Sequence, residues 1–212
     1  MSAPQPARRP ERLVLEGRYA RLEPLAAAHA DALFAAAVPE RFTYLAEPGP
    51  ADAGAMAQWV ANAAQKTDPL YFAVIDKASG RAEGRQSLMR ITPEHGVIEI
   101  GGIYWGPAIA RGRVTTEALF LHACYIFDEL GYRRFEWKCN DLNEPSKAAA
   151  RRFGFTFEGV FRQHMIVKGQ NRDTAWFAML DSEWPALKAR FERWLDPTNF
   201  DAAGRQLNGL GK

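Results

Sequence analysis

Between Val97 and Gly154 the chain changes character four times: strand pattern, basic loop, helix pattern, second strand pattern, second helix pattern. A strand–helix–strand run of this kind is a crossover, so it demands a sheet with a helix packed on it. The loop reads Gly106-Pro107-Ala108-Ile109-Ala110-Arg111-Gly112-Arg113-Val114-Thr115-Thr116-Glu117. A strand delivering such a loop into a helix gathers free backbone N–H groups and a positive dipole end at one point. That point is a natural seat for phosphate. Arg111 and Arg113 flank Gly112 and add cationic side chains. An ordinary connection with two solvated arginines is the competing reading of the same residues.

The rest of the chain supplies partners for this crossover. Leu13–Leu22 alternates around Gly17 as a first strand or short hairpin. Pro24 is read as opening an alanine-rich helix that runs to about Val38 and is ended by Pro39. A loop of aromatics and prolines, Phe42–Pro50, precedes a helix over Asp52–Lys66. Strands are expected at Leu70–Ile75 and Arg85–Ile91, joined by the turn Asp76-Lys77-Ala78-Ser79-Gly80. The strand Val97–Trp105 follows. The strongest helix signal is Val114–Leu130, stopped by Gly131. Arg133–Cys139 alternates as a strand, and Asn143 is a plausible N-cap for a helix ending at Phe153-Gly154. A hairpin over Phe155–Val167 and Asp173–Leu180 and an amphipathic helix over Asp181–Leu195 complete the order.

This arrangement indicates an α/β or α+β fold with helices on both faces of a sheet. Residues 12–195 are read as a single domain, preceded by a disordered arm over 1–11 and followed by a loosely docked tail over 196–212. The formal net charge of +2 gives nucleic acid little support, and the arginines are scattered rather than gathered into a stripe. Two cysteines, Cys124 and Cys139, make no disulfide framework. No apolar run approaches membrane-spanning length, and a cytoplasmic enzyme or binding protein is the expectation. No metal signature is visible.

Two stretches carry a resemblance. Glu99-Ile100-Gly101-Gly102-Ile103-Tyr104-Trp105 with Pro107 and Thr116-Glu117-Ala118 resembles the acyl-CoA-binding core of GNAT acetyltransferases. Asn143-Glu144-Pro145-Ser146 followed by Arg152-Phe153-Gly154-Phe155-Thr156-Phe157-Glu158-Gly159 resembles that family's second half. The similarity runs from about Leu13 to Leu180 and is nearest the Rim-type N-terminal acetyltransferases of ribosomal proteins. It implies a mixed, mostly antiparallel sheet of about seven strands. In it the family's fourth strand (here Val97–Trp105) is splayed by a bulge from its fifth (here Arg133–Cys139). It also implies acetyl-CoA as acyl donor, a primary-amine acceptor and a possible homodimer. Gly101-Gly102 makes the bulge easy.

Acetyl transfer to an amine needs a neutral amine, a polarised thioester carbonyl and a proton for the leaving thiolate. The resemblance assigns Glu99 as candidate base and Ser146 as candidate acid. Cofactor contacts fall on Ile103, Tyr104, Arg111, Gly112, Arg113, Val114, Thr115, Thr116, Asn143 and Ser146, and Lys147 is a further candidate for the CoA phosphates. Each has a plainer reading: Glu99 paired with an arginine, Ser146 bonded to backbone at a helix start, Glu117 serving a backbone amide. The loop departs from the family's Arg/Gln-x-x-Gly-x-Gly/Ala pattern, because both glycine positions fall on Arg111 and Arg113. Either the guanidiniums replace part of the amide cradle, or the loop binds CoA weakly. A non-catalytic acyl-CoA-binding module on the same fold is the alternative function. The acceptor's identity and the acyl length are not legible.

Overall fold

The structure, a computed structural model, describes residues 6–211. Eight strands and five α-helices occur among the described residues, in keeping with the expected sheet of about seven strands. The strands are β1 Leu15–Glu16, β2 Ala20–Pro24, β3 Leu70–Asp76, β4 Arg81–Thr92, β5 Val97–Trp105, β6 Arg134–Asn140, β7 Thr156–Val167 and β8 Gln170–Leu180. The helices are α1 Ala30–Ala35, α2 Ala53–Ala64, α3 Arg113–Cys124, α4 Glu144–Phe153 and α5 Trp184–Leu195. The sheet is mixed but mostly antiparallel, as the pairs β1–β2, β2–β3, β3–β4, β6–β8 and β7–β8 all show.

The chain forms two compact units, and it passes from one to the other within β5, between Ile98 and Glu99. The first comprises residues 10–91 and 99–122. Here β1 to β4 lie side by side in chain order, followed by the greater part of β5. Leu25, Leu33, Met56, Val60, Ala73 and Ile75 form one apolar cluster between the early helices and this sheet. The cluster explains why α1 and α2 exist: their alanine-rich bodies present one apolar stripe each. Pro24 does not open a helix as expected. It is the last residue of β2, opposite Phe72, and the helix starts later through a 3₁₀ turn at Ala27–His29. Proline tolerates a strand end, where its missing N–H costs no ladder bond.

The second unit comprises residues 6–9, 92–98 and 123–211. Its strands run β6-β8-β7, and Gly96, just before β5, accepts N–H bonds from Arg133 and Arg134. Past Cys124, Tyr125–Glu129 continues α3 as a π-turn, closed by the Leu130 N–H to Tyr125 carbonyl bond, and Gly131 with φ +79° stops it. Two expectations about the termini need correction. Residues 1–5 of the expected disordered arm lie outside the described residues, but Ala7 and Arg8 donate backbone bonds to Pro93 and Leu130. The tail is docked rather than loose. Trp194 Nε1 donates to Gln206, Asn199 Nδ2 donates to the Trp194 and Asn208 carbonyls, and Leu210 is buried. These bonds satisfy polar groups that a free tail would leave to water.

Candidate functional site

In the first unit the loop ahead of α3 is a succession of tight turns. Ile109 and Ala110 N–H both bond the Gly106 carbonyl, and Gly112 N–H bonds Ile109. Arg111 sits in the left-handed region at φ +60°, which turns the chain into the helix. The first intrahelical bond is Thr116 N–H to the Gly112 carbonyl. The N–H groups of Arg113, Val114 and Thr115 therefore precede the ladder, the helix-start condition that suits an anion. Thr115 and Thr116 are buried, and both hydroxyls donate to the Gly112 carbonyl. Their side chains, like that of Val114, are buried, so Val114 and Thr115 offer a ligand their backbone N–H groups, whereas that of Thr116 is already in the ladder. The first turn holds no acidic residue. Backbone donors with exposed Arg111 and half-buried Arg113 fit the pyrophosphate of CoA.

Further along β5 the bulge expected at Gly101-Gly102 is reflected in Gly102, at φ +55°. A Cβ there would lie 3.0 Å from the Tyr71 ring, so both the backbone conformation and the close neighbour favour glycine. Buried Arg85 donates to the Gly102 carbonyl at 2.5 Å, pairs with Glu47 and lies 4.0 Å over the Trp59 ring. This guanidinium ties the 42–50 loop and α2 to the bulge. A cavity of about 160 Å³ opens beside it, lined by Phe42, Glu47, Pro48, Met56, Trp59 and Arg85.

Glu99 is 5% exposed and lies 3.4 Å from an Arg90 guanidinium nitrogen. The arginine partner foreseen as its plainer role is thus present. Tyr104 departs from expectation. Its hydroxyl accepts from Val38 N–H at 2.8 Å and donates to the Ala36 carbonyl at 2.7 Å, and its ring stacks on Phe42. Burial pushes the phenol above its ordinary pKa. That hydroxyl fastens the segment after α1 to β5, and both of its bonds are made within the protein.

Glu117 accepts from the backbone N–H groups of Arg18, Tyr19 and Ala20 at 2.9, 2.5 and 2.6 Å. It does serve backbone amides, though those of a distant turn rather than its own helix. His122, fully buried on α3, faces Gln86 Nε2 at 2.9 Å, and burial lowers its pKa to about 3.

In the second unit Asn143 caps α4, its Oδ1 accepting from Ser146 N–H at 3.2 Å. Ser146 Oγ accepts from Trp137 Nε1 at 3.0 Å. Trp137 can only donate, so the serine's own proton is directed elsewhere. Cys139 takes a hydrogen bond from Ser146, yet burial holds its thiol above the ordinary value. Lys147 is held by Asp141 at 3.2 Å and Glu144 at 2.7 Å, and the bond to Glu144 leads in raising its pKa. It is thereby diverted from the phosphate role considered for it. Both cysteines are free thiols.

With this geometry in place, the comparisons with known proteins decide the family. Residues 20–156 match the family described as the acetyltransferase (GNAT) domain. The chain belongs to the GNAT acetyltransferase family. A solved GCN5-related N-acetyltransferase from Brucella melitensis is 59% identical, with a TM-score of 0.96 over 98% of this chain and 96% of that one. A solved probable acetyltransferase of the GNAT family from Chromobacterium violaceum is 40% identical, with a TM-score of 0.80 over 85% of this chain and 92% of its own. Among curated proteins, the "Putative ribosomal N-acetyltransferase YdaF" of Bacillus subtilis is 31% identical over 106 residues. That match spans half of this chain and 57% of the relative. The GNAT fold and chemistry imply use of acetyl-CoA. No helix among the described residues is long and apolar enough to cross a membrane.

Sequence reasoning missed Tyr19, Arg85, Glu47 and Trp137. Only Glu117 gave a signal, as a carboxylate in the motif whose partner was sought too near.

Proposed function

We propose that this acetyltransferase moves the acetyl group of acetyl-CoA directly to a primary amine in a ternary complex. The observation that carries the reading is the start of α3: three N–H groups ahead of the helix ladder, with Arg111 and Arg113 beside them and no acid in the first turn. Glu99 is proposed to receive the amine's proton, directly or through water, with Arg90 holding its carboxylate. Ser146 is proposed to protonate the departing thiolate: its hydroxyl accepts from the Trp137 indole N–H, and its one proton, given to Cys139 in this structure, would turn to the CoA sulfur. Backbone N–H groups near Ile103 and Tyr104 would polarise the thioester carbonyl. The acceptor is a protein N-terminus or a small-molecule amine, and the relative from Bacillus favours the first. A cytoplasmic location and a homodimer belong to the same reading; exposed Phe157, Phe161 and Ile166 on β7 support self-association.

Thiol release from acetyl-CoA across a panel of N-terminal peptides and small amines tests the reading. Acceptor-dependent release supports it, whereas CoA binding without release across the panel would establish the non-catalytic binding module instead. Glu99→Gln should lower turnover mainly where the amine is protonated. An unchanged pH–rate profile would remove Glu99 from the chemistry.

A further inference from the structure

The β1–β2 turn, which neither the motif nor the family match singles out, is built against the face of α3 that carries Arg113 and Glu117. These two are four residues apart and so lie one above the other on that face. The Glu117 carboxylate takes the three amides of Arg18, Tyr19 and Ala20. The Arg113 guanidinium lies over the Tyr19 ring, 4.6 Å from its centroid. Gly17 completes the wrap: a Cβ there would stand 2.5 Å from Glu117 Oε2 and 2.9 Å from the Ala20 carbonyl.

The turn is also fixed from the other side. Lys77 N–H bonds the Tyr19 carbonyl at 3.0 Å, and Lys77 Nζ bonds Glu16 and the Gly17 carbonyl at 2.5 and 2.8 Å. Both backbone polar groups of Tyr19 are therefore engaged, and its ring is held where Arg113 lies. Stacking occupies a guanidinium's face, while its N–H edge is what a phosphate oxygen engages. An aromatic plane beneath it limits the orientations from which that edge can be offered.

We propose that Tyr19 is a positioning residue for Arg113, holding the guanidinium ready for a phosphate of CoA, with Glu117 and Gly17 as the clamp that places the ring. This rests on the proposed phosphate role of the α3 start and extends it to a residue almost a hundred positions upstream. It also explains how the loop functions with arginine where the family has glycine: the side chain that replaces the cradle is given a platform.

Calorimetry with the full chain tests it, using CoA and pantetheine, which lacks the phosphates. Tyr19→Leu should weaken CoA binding about fivefold, the scale of a surface cation–π contact, and leave pantetheine unchanged. Tyr19→Phe, which keeps the ring, should match wild type for both ligands. In an Arg113→Ala background Tyr19→Leu should add nothing. The inference is overturned if Tyr19→Leu binds CoA as wild type does, if pantetheine weakens equally, or if the fivefold loss persists without Arg113. Should Tyr19→Leu fail to fold, the Arg113 Nε–H resonance of wild type decides. It should be shifted by the ring and move on adding CoA; an unshifted resonance indifferent to CoA overturns the inference. Wild type binding CoA no better than pantetheine would instead remove the underlying phosphate reading.

Discussion

Two helix starts on this chain face the same physical problem and solve it in opposite ways. Both α3 and α4 open with N–H groups that their own ladders cannot satisfy. At α4 the chain supplies the answer itself: Asn143 caps, Glu144 brings a negative charge to the first turn, Pro145 removes a donor, and Lys147 is drawn to Asp141 and Glu144. At α3 the threonine hydroxyls turn to the Gly112 carbonyl, the first turn has no acid, and the local charges are arginines. A helix start that neutralises itself is architecture. One that concentrates positive charge is poised for an anion from outside.

The largest effect expected from this contrast is on CoA affinity. Arg111→Ala with Arg113→Ala should weaken CoA binding about a hundredfold or more, from two charge-assisted bonds of about 1.5–3 kcal/mol each. Pantetheine affinity should hold, and equal losses for the two ligands, read by calorimetry, would erase the distinction between the helix starts. Next in size is a pH effect confined to the body of α3. His122 in the folded chain has its pKa lowered by burial from 6.5 to about 3. The unfolded chain therefore takes up a proton that the folded chain refuses. Stability is intact above about pH 6.5 and falls toward pH 3, by up to about 1.4 kcal/mol per pH unit. Urea unfolding across that window should show the slope, and His122→Asn should flatten it. The smallest effect belongs to α4: Asn143→Ala should cost about 1 kcal/mol of stability through the lost cap. Lys147→Ala should leave CoA affinity where it was. A CoA loss from Lys147→Ala matching that from the arginines would show that α4 also reaches the phosphates.

What the sequence conveys well is local. The strand Val97–Trp105 is read to the residue, because Gly96 and Gly106 bracket a run rich in β-branched and aromatic residues. The α4 cap and its Gly154 stop, at φ +95°, follow from Asn143 and glycine chemistry alone. The candidate site is only partly legible, because its fate depends on partners far along the chain. Tyr104 looks like a cofactor contact until Ala36 and Val38 claim its hydroxyl. Glu117 looks like a dipole-serving carboxylate until the 17–20 turn wraps it. Pro24 misleads for a different reason: proline at a helix start and proline at a strand end use the same missing donor. Periodicity cannot separate them, and only the pairing of Pro24 with Phe72 does.

The central claim is that the start of α3, and not that of α4, receives phosphate. Amide chemical shifts during titration with ADP, a pyrophosphate lacking the pantetheine arm, test it most directly. The account predicts saturable shifts at Gly112, Arg113, Val114 and Thr115, with Glu144, Ser146 and Lys147 unmoved. Shifts concentrated at Glu144–Lys147, or none at Gly112–Thr115 with ADP at millimolar concentration, would contradict it.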